Sequence, residues 1–457
     1  MSDADKFDKR IDANPTKEFF ISMLIRDLNT GEAISDLVDN CIDGAKRLRG
    51  GDKDSRYDGL FIKISISKDK FSIEDNCGGI PVDIARNYAF RFGRPSKMEK
   101  TDWSIGQFGI GMKRAFFKIG REFSVLSSTT NDSFSMSQDI EKWKDEKEWA
   151  FEFDEVKFPD KPNKEEETGT IIEILKLKED IRNLFSTVKF LQKLKNNIEL
   201  ENLYNIQKGI DIIFNEQKLK PKQLSLIVSD DFKIGKWESS YFEDQIEVEL
   251  VVGIGPSDLQ NGGWYIFCND RLIVGPEQTE LTGWTGRSGD GVANYHSQFD
   301  RFRGFAHFRA KDSEFLPWNT TKTGMDRDSA IFKAVRRKMI EMMKPVMTLS
   351  NSMKRENESD YEGEKFLQNK IEKAKTINLS TIPRQELAQY LSVRFEYPKP
   401  PKKTKVPDNQ GRITYLVSKV KIKKLKKFFS VNSQNEAGKR AFDYVYKTEI
   451  IDNPDYE

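Results

Sequence analysis

Histidine and cysteine are the scarce residues of this chain, and their scarcity removes several kinds of chemistry at once. Its 457 residues include two histidines, His296 and His307, and three cysteines, Cys41, Cys77 and Cys268. A His/Cys metal site or a Ser-His-Asp triad is hard to assemble from so few. Three distant cysteines make no disulfide framework and fit a reducing cytoplasm. An excess of one charge sign is missing too: 75 Lys and Arg face 73 Asp and Glu. Net charge therefore announces neither a nucleic-acid nor a membrane partner. No apolar run approaches the ~18 residues of a membrane helix. The opening MSDADKFDKR is charged throughout, unlike a signal peptide. These features predict a soluble, cytoplasmic protein with no membrane partner, long enough for about three domains.

The patterning is mixed. Between Gly31 and Arg49, apolar Ile34, Leu37, Val38 and Ile42 recur at helical spacing. Residues 60–75 alternate apolar and polar over two short runs, which predicts a β-hairpin. More strand-like text follows (REFSVLSST, WAFEFDEV, GTIIEILKL), and a layered domain should close near residue 178. The stretch 158–169 reads as a surface loop inside that domain. A second region opens with a helix near 185, continues through strands (IEVELVVGIG, GGWYIFCNDRLIV, RGFAHFRA), and closes with a long helix around 327–350. The polar segment 351–364 reads as a linker or exposed loop.

Three blocks carry chemistry. The first is Asp36-Leu-Val-Asp-Asn40-Cys-Ile-Asp43-Gly44, where positions 36, 40 and 43/44 share one helix face. A carboxylate and an amide one turn apart suit a base that polarises water and an oxygen ligand for a hard cation. Alone, the block also reads as a solvated face. The second is Ile73-Glu-Asp75-Asn-Cys-Gly78-Gly79-Ile80, a strand running into a turn. An Asp there can accept from an amino group while the glycines allow close backbone approach; alone, it is also an ordinary Asp-Asn-Gly turn. The third, Ser104-Ile-Gly106-Gln107-Phe108-Gly109-Ile110-Gly111-Met112-Lys113-Arg114, leaves backbone N–H groups free to converge on phosphates beside a helix start. It lacks the Lys-Ser/Thr of a P-loop and a following βαβ unit.

In this order the blocks resemble the Bergerat ATP-binding fold of the gyrase–Hsp90–histidine kinase–MutL superfamily, with Gly169-Thr170-Ile-Ile-Glu-Ile similar to its closing Gly-Thr strand. The resemblance implies ATP and Mg²⁺ as ligands. Asn40 would coordinate Mg²⁺, and Asp75, with Thr170 assisting through water, would bind adenine. Gly106, Gln107, Gly109 and Gly111 would hold the phosphates, with Gly79, Ile80, Phe108, Ile110, Met112 and Lys113 as neighbouring nucleotide contacts. Residues 81–105 would form a lid carrying Lys97. Two positions depart from the family pattern. Asp36 stands where most hydrolysing members carry Glu, and Glu32, one turn earlier, is an alternative base. Cys77 displaces the first glycine of the usual Asp-x-Gly-x-Gly.

Farther along, Gly263-Trp-Tyr-Ile-Phe-Cys-Asn269-Asp270-Arg271-Leu-Ile273 resembles the strand-turn-strand of the transducer domain in MutL- and MORC-type proteins. Phe92-Gly93-Arg-Pro-Ser96-Lys97 is similar to the MORC lid, and Trp318-Asn-Thr320-Thr321-Lys322 resembles the loop whose lysine touches the γ-phosphate. The alternative for Lys322 is an ordinary surface lysine in a polar turn. The expected architecture is thus α+β: a Bergerat-fold α/β sandwich over 1–180, an S5-like α/β transducer over 185–350, a helical or linker region over 351–410, and a small basic unit over 411–457. A kinase is disfavoured, because both histidines lie far downstream of the ATP region. Family logic implies a homodimer that closes on ATP as a clamp on nucleic acid or a protein client; a non-hydrolysing nucleotide sensor is the alternative. No residue names the client, or decides between genome maintenance and defence against phage. Lys399 to Lys427 hold eleven Lys/Arg and one acid, Asp408. This run could rest on nucleic-acid phosphates, or be a helix packed by its apolar side with its lysines solvated.

Overall fold

The computed structural model describes residues 15–52, 55–93, 102–106, 109–287, 289–358, 365–379, 381–382, 384–399, 413 and 415–451. The fold is α+β and is built on two large sheets. In the first unit, α1 (Lys17–Ile25) and α2 (Thr30–Leu48) precede the hairpin β1 (Phe61–Ile66) and β2 (Phe71–Asp75). Each hairpin strand buries every second residue, as the alternating sequence predicts. A short helix α3 (Val82–Ile84) and a single π-turn (85–89) lead towards the third block, from which α4 (Gly111–Ile119) starts. Then come β3 (Glu122–Ser128), β4 (Ser133–Asp139), α5 (Ile140–Asp145), β5 (Glu155–Lys157) and β6 (Gly169–Leu175).

Helix α2 exists for two reasons. Asn29 and Glu32 form a reciprocal capping box at its start, and Ile34, Leu37, Val38, Cys41, Ile42 and Ala45 form a buried stripe. Its polar residues Asp36, Asp39 and Asp43 are buried as well. Burying three carboxylates is costly unless each has a partner, and those partners define the site below.

The first sheet runs past the boundary expected near residue 180. Helices α6 (Glu179–Phe185), α7 (Val188–Glu201) and α8 (Leu203–Gln207) carry the chain to β7 (Asp211–Phe214) and β8 (Gln217–Lys218). These complete an eight-stranded sheet of order β5-β4-β3-β6-β2-β1-β7-β8. Strand β7 lies parallel to β1, and a parallel partner requires a crossover, which the helices provide. The region read as the start of the second domain therefore finishes the first sheet.

The second sheet holds β10 (Ile234–Tyr241), β11 (Ile246–Ile254), β12 (Gly263–Cys268), β13 (Arg271–Glu277) and β14 (Phe302–Arg309), preceded in the chain by β9 (Ser225–Val228). Asn269 and Asp270 turn β12 into β13 with φ of 47° and 67°, as a two-residue hairpin of matching twist demands. Helix α9 (Ala330–Glu356) packs on β11 and β14 and runs beyond 350. The polar text from 351 is thus first a helix end, where Lys354 and Arg355 suit the dipole, and Glu356 is buried because its carboxylate accepts the N–H groups of Leu367 and Gln368. Past α10 (Phe366–Glu372), β15 (Lys375–Asn378) pairs with β9, and beyond α11 (Arg384–Ala388), β16 (Leu391–Ser392) pairs with β10. Much of the expected linker is therefore part of the second unit. Helices α12 (Lys419–Phe428) and α13 (Gln434–Val445) pack on each other at the C-terminal end.

Candidate functional site

The three sequence blocks meet around one cavity of about 650 Å³, a size within the ~300–1,000 Å³ of small-ligand sites. Asp36, Asn40, Asp75, Gly79, Ile80, Gly106, Gly109, Ile110, Gly111, Met112, Lys113 and Thr170 all line it, and so does Lys322 from the second unit.

At one end, Asp75 closes β2 and accepts the N–H of Cys77 at 2.8 Å. Burial pushes its carboxyl pKa up. Asp75 faces Thr170 across the β2–β6 ladder, and Thr170 shares a 3.1 Å hydrogen bond with Ser127, whose oxygen accepts the N–H of Ile80 at 2.7 Å. Gly79 is obligatory: its φ is +72°, and a Cβ there would lie 2.1 Å from the Ser128 carbonyl oxygen.

At the other end, the glycine loop lies against α2. A Cβ on Gly111 would stand 3.0 Å from Asp36 Oδ2, and one on Gly106 would stand 3.8 Å from Asn40 Oδ1. Asp43 pins the loop by accepting the N–H groups of Ile105 (2.7 Å) and Gly106 (2.6 Å). Helix α4 begins at Gly111 with no side-chain cap, so its first N–H groups remain available to an anion. Lys113 directs its Nζ onto the Ala89 and Gly109 carbonyl oxygens, joining the start of the lid region to the loop. Burial pushes its pKa down to about 7.

The second unit reaches this end through one buried network. Lys322 Nζ donates to Asp36 Oδ1 at 2.9 Å and to Asp39 Oδ2 at 2.8 Å. Burial disfavours its charge, yet Asp39 and Asp36 push its pKa up to about 12. Arg271 Nε donates to Asp39 Oδ1 at 2.7 Å, and its guanidinium lies 3.6 Å from Glu201, which accepts the Ser35 hydroxyl. Although burial opposes ionisation of Asp39, Arg271 and Lys322 hold its pKa below the usual carboxylate value. Asn269 adds a second joint: its amide donates to the Ser104 and Ala310 carbonyls, while Lys46 of α2 donates to the Trp103 carbonyl.

The model of the family described as histidine kinase-, DNA gyrase B- and HSP90-like ATPases matches residues 28–170. That region belongs to the gyrase–Hsp90–histidine kinase–MutL ATPase superfamily. The match takes in all three blocks and ends at Gly169-Thr170, and it supports ATP binding. No curated protein matches the chain. Among the described residues, no helix is long and apolar enough to cross a membrane.

The residues present fit the ligands this superfamily implies. The buried Asp75 oxygens suit an exocyclic amine, and the uncapped helix with its glycines suits phosphates. Asn40 supplies one hard oxygen beside Gly106, as Mg²⁺ requires when phosphates and water complete its shell. Among the described residues, no cluster of three His, Cys, Asp or Glu could hold a metal alone.

Not every expected residue reaches the cavity. Glu32 does not: its carboxylate accepts the Asn29 N–H at 3.1 Å in the capping box. Glu32→Gln should therefore leave ATP affinity and phosphate release within about twofold, the usual range for a substitution away from a special site; titration and a phosphate-release assay check this, and a large loss of turnover would restore Glu32 as a base. Gln107, Phe108 and Lys97 lie outside the described residues. Sequence reasoning assigns no role to Ser127, Asp39 or Arg271. Acids at Asp36, Asp39 and Asp43, interleaved with the apolar stripe of α2, are a signal for two of these partnerships; nothing in the strand text marks Ser127.

Proposed function

We propose that this protein is a magnesium-dependent ATPase in which Lys322 links the γ-phosphate of bound ATP to the arrangement of the two units. The observation that carries this reading is the ion pair of Lys322 with Asp36 on the floor of the nucleotide cavity. Asp75 and Thr170 hold adenine, the glycine loop and the start of α4 hold the phosphates, and Asn40 holds Mg²⁺, which supplies charge neutralisation at the phosphates. Asp36 serves as the base that polarises the attacking water. When a γ-phosphate is bound, Lys322 exchanges a carboxylate for it, and the second unit, acting as an S5-like transducer, shifts with the lysine. Two chains then close as a clamp through their N-terminal segments. Exposed Phe19 and Met23 on α1 support that pairing.

Phosphate release, measured with DNA, with RNA and with neither, tests the enzyme and its client together; sedimentation with a non-hydrolysable ATP analogue tests the dimer. A monomer under saturating analogue removes the clamp. One observation favours a second reading, a nucleotide sensor that does not hydrolyse: the base position carries the shorter Asp, and Lys322 engages it directly. ATP binding without phosphate release would select the sensor.

The C-terminal hairpin supports a nucleic-acid partner. Helix α12 turns Ile422, Leu425 and Phe429 partly inward, while Lys419, Lys421, Lys423, Lys424 and Lys427 are exposed beside Val420 and Phe428. Residues 400–412 of the basic run lie outside the described residues. Replacing Lys419, Lys423 and Lys427 with Gln should weaken binding to DNA of any sequence and flatten the slope of log K against log salt by about 2–3. An unchanged slope would return α12 to a solvated helix face.

A further inference from the structure

Arg271 does not itself line the cavity, yet three parts of the site depend on it. Its Nε donates to Asp39 on α2 at 2.7 Å. One terminal nitrogen donates to the Lys322 backbone carbonyl at 3.1 Å and to the Leu272 carbonyl at 3.2 Å; the other lies 3.6 Å from Glu201. The pair is buried, with Arg271 at 4 % exposure and Asp39 at 1 %, while Glu201 is partly exposed.

The Lys322 backbone needs such a hold. Its φ is +56°, a left-handed conformation that a non-glycine residue keeps only when its surroundings impose it. Asn319 imposes part of it, accepting the Lys322 N–H at 3.0 Å on its carbonyl. Arg271 supplies the rest by holding the carbonyl on the other side. A rigid, planar guanidinium can serve a carboxylate and a carbonyl at once; a lysine ammonium lacks that fork.

The charges sort in a way that matters for function. Among the described residues, Asp39 has two cationic partners, Arg271 and Lys322, whereas Asp36 forms its ion pair with Lys322 alone. If Lys322 leaves for a phosphate, Asp39 stays neutralised by Arg271, and Asp36 alone is released. Without Arg271, departure of Lys322 would strand Asp39 as an unpaired buried charge, which is strongly disfavoured.

We propose that Arg271 is the positioning residue that lets Lys322 exchange Asp36 for the γ-phosphate: it fixes the lysine's backbone and takes over Asp39 when the lysine moves. This rests on the reading of Lys322 as the γ-phosphate contact. The prediction is specific to the third phosphate. In Arg271→Met, ADP affinity stays within about twofold of wild type, while the preference for ATP over ADP falls at least about tenfold, the weight of one charge-assisted hydrogen bond. Arg271→Lys, which restores charge without the fork, recovers only part of the preference.

Because Arg271→Met leaves Asp39 buried without its fork, it can fail to fold. The double variant Asp39→Leu/Arg271→Met replaces the pair with apolar groups, a change buried ion pairs often tolerate. It should fold, bind ADP normally and still lack the ATP preference, because the Lys322 carbonyl has lost its donor. Lys322→Ala is measured in parallel. If Lys322→Ala loses the preference while the folded Arg271 variants keep it, Arg271 is not the positioning residue. If Lys322→Ala also keeps it, the γ-phosphate reading fails at its source and the inference falls with it.

Discussion

Asp36→Asn should lower phosphate release by about 10²–10⁴-fold, the range over which a positioned general base acts, while leaving the fold intact. The second half of that expectation follows from the network. Removing one partner of a buried ion pair often costs about 3–5 kcal/mol, because a charge is left uncompensated. Here it is not: Lys322 keeps Asp39 at 2.8 Å, and the asparagine oxygen can still accept its second N–H. The wild-type cluster of Asp36, Asp39 and Glu201 against Arg271 and Lys322 carries one excess acid, which the substitution removes. The melting temperature should therefore hold or rise as turnover collapses, and ATP should still bind. Phosphate release, ATP titration and thermal unfolding on one preparation check all three. Wild-type turnover in this variant would sink Asp36 as the base.

Asp75→Ala should act on binding instead. The loss of one hydrogen bond to a charged acceptor costs about 1.5–3 kcal/mol, or roughly 10- to 150-fold in affinity. The upper part of that range is expected here, since the carboxylate also anchors the Cys77 N–H at 2.8 Å. The carboxylate is an acceptor facing a cavity, so it favours the amino group of adenine and opposes the carbonyl of guanine at the same edge. Wild type should therefore prefer ATP to GTP, and the variant should lose the preference together with the affinity. Equal affinity of wild type and variant for ATP would place the base elsewhere.

The local parts of the site were legible because each depends on a short stretch of chain. The face of α2, the strand ending at Asp75 and the glycine loop before α4 are matters of spacing within a dozen residues, and the hairpin at 60–75 follows from alternation alone. The edge of the first sheet was not legible, because β7 joins it by pairing with β1, and a strand's text does not name its neighbour. Nor was the course of residues 365–397, which pair with β9 and β10 from far along the chain.

The candidate site shows the same division. Glu32 and Asp36 sit one turn apart on one face, and sequence offers both as bases. The capping box claims Glu32 because the first turn of a helix has N–H groups that nothing else satisfies; Asp36 lies where α2 faces the cavity. The sequence by itself put a carboxylate and an amide on one face of α2 and a glycine loop just before α4. Only the tertiary structure decided which carboxylate faces the cavity, and that a lysine 286 residues away would be its partner. The physical reason is burial: Asp36 and Asp39 cannot leave water without cations, and those cations, Lys322 and Arg271, come from the second unit.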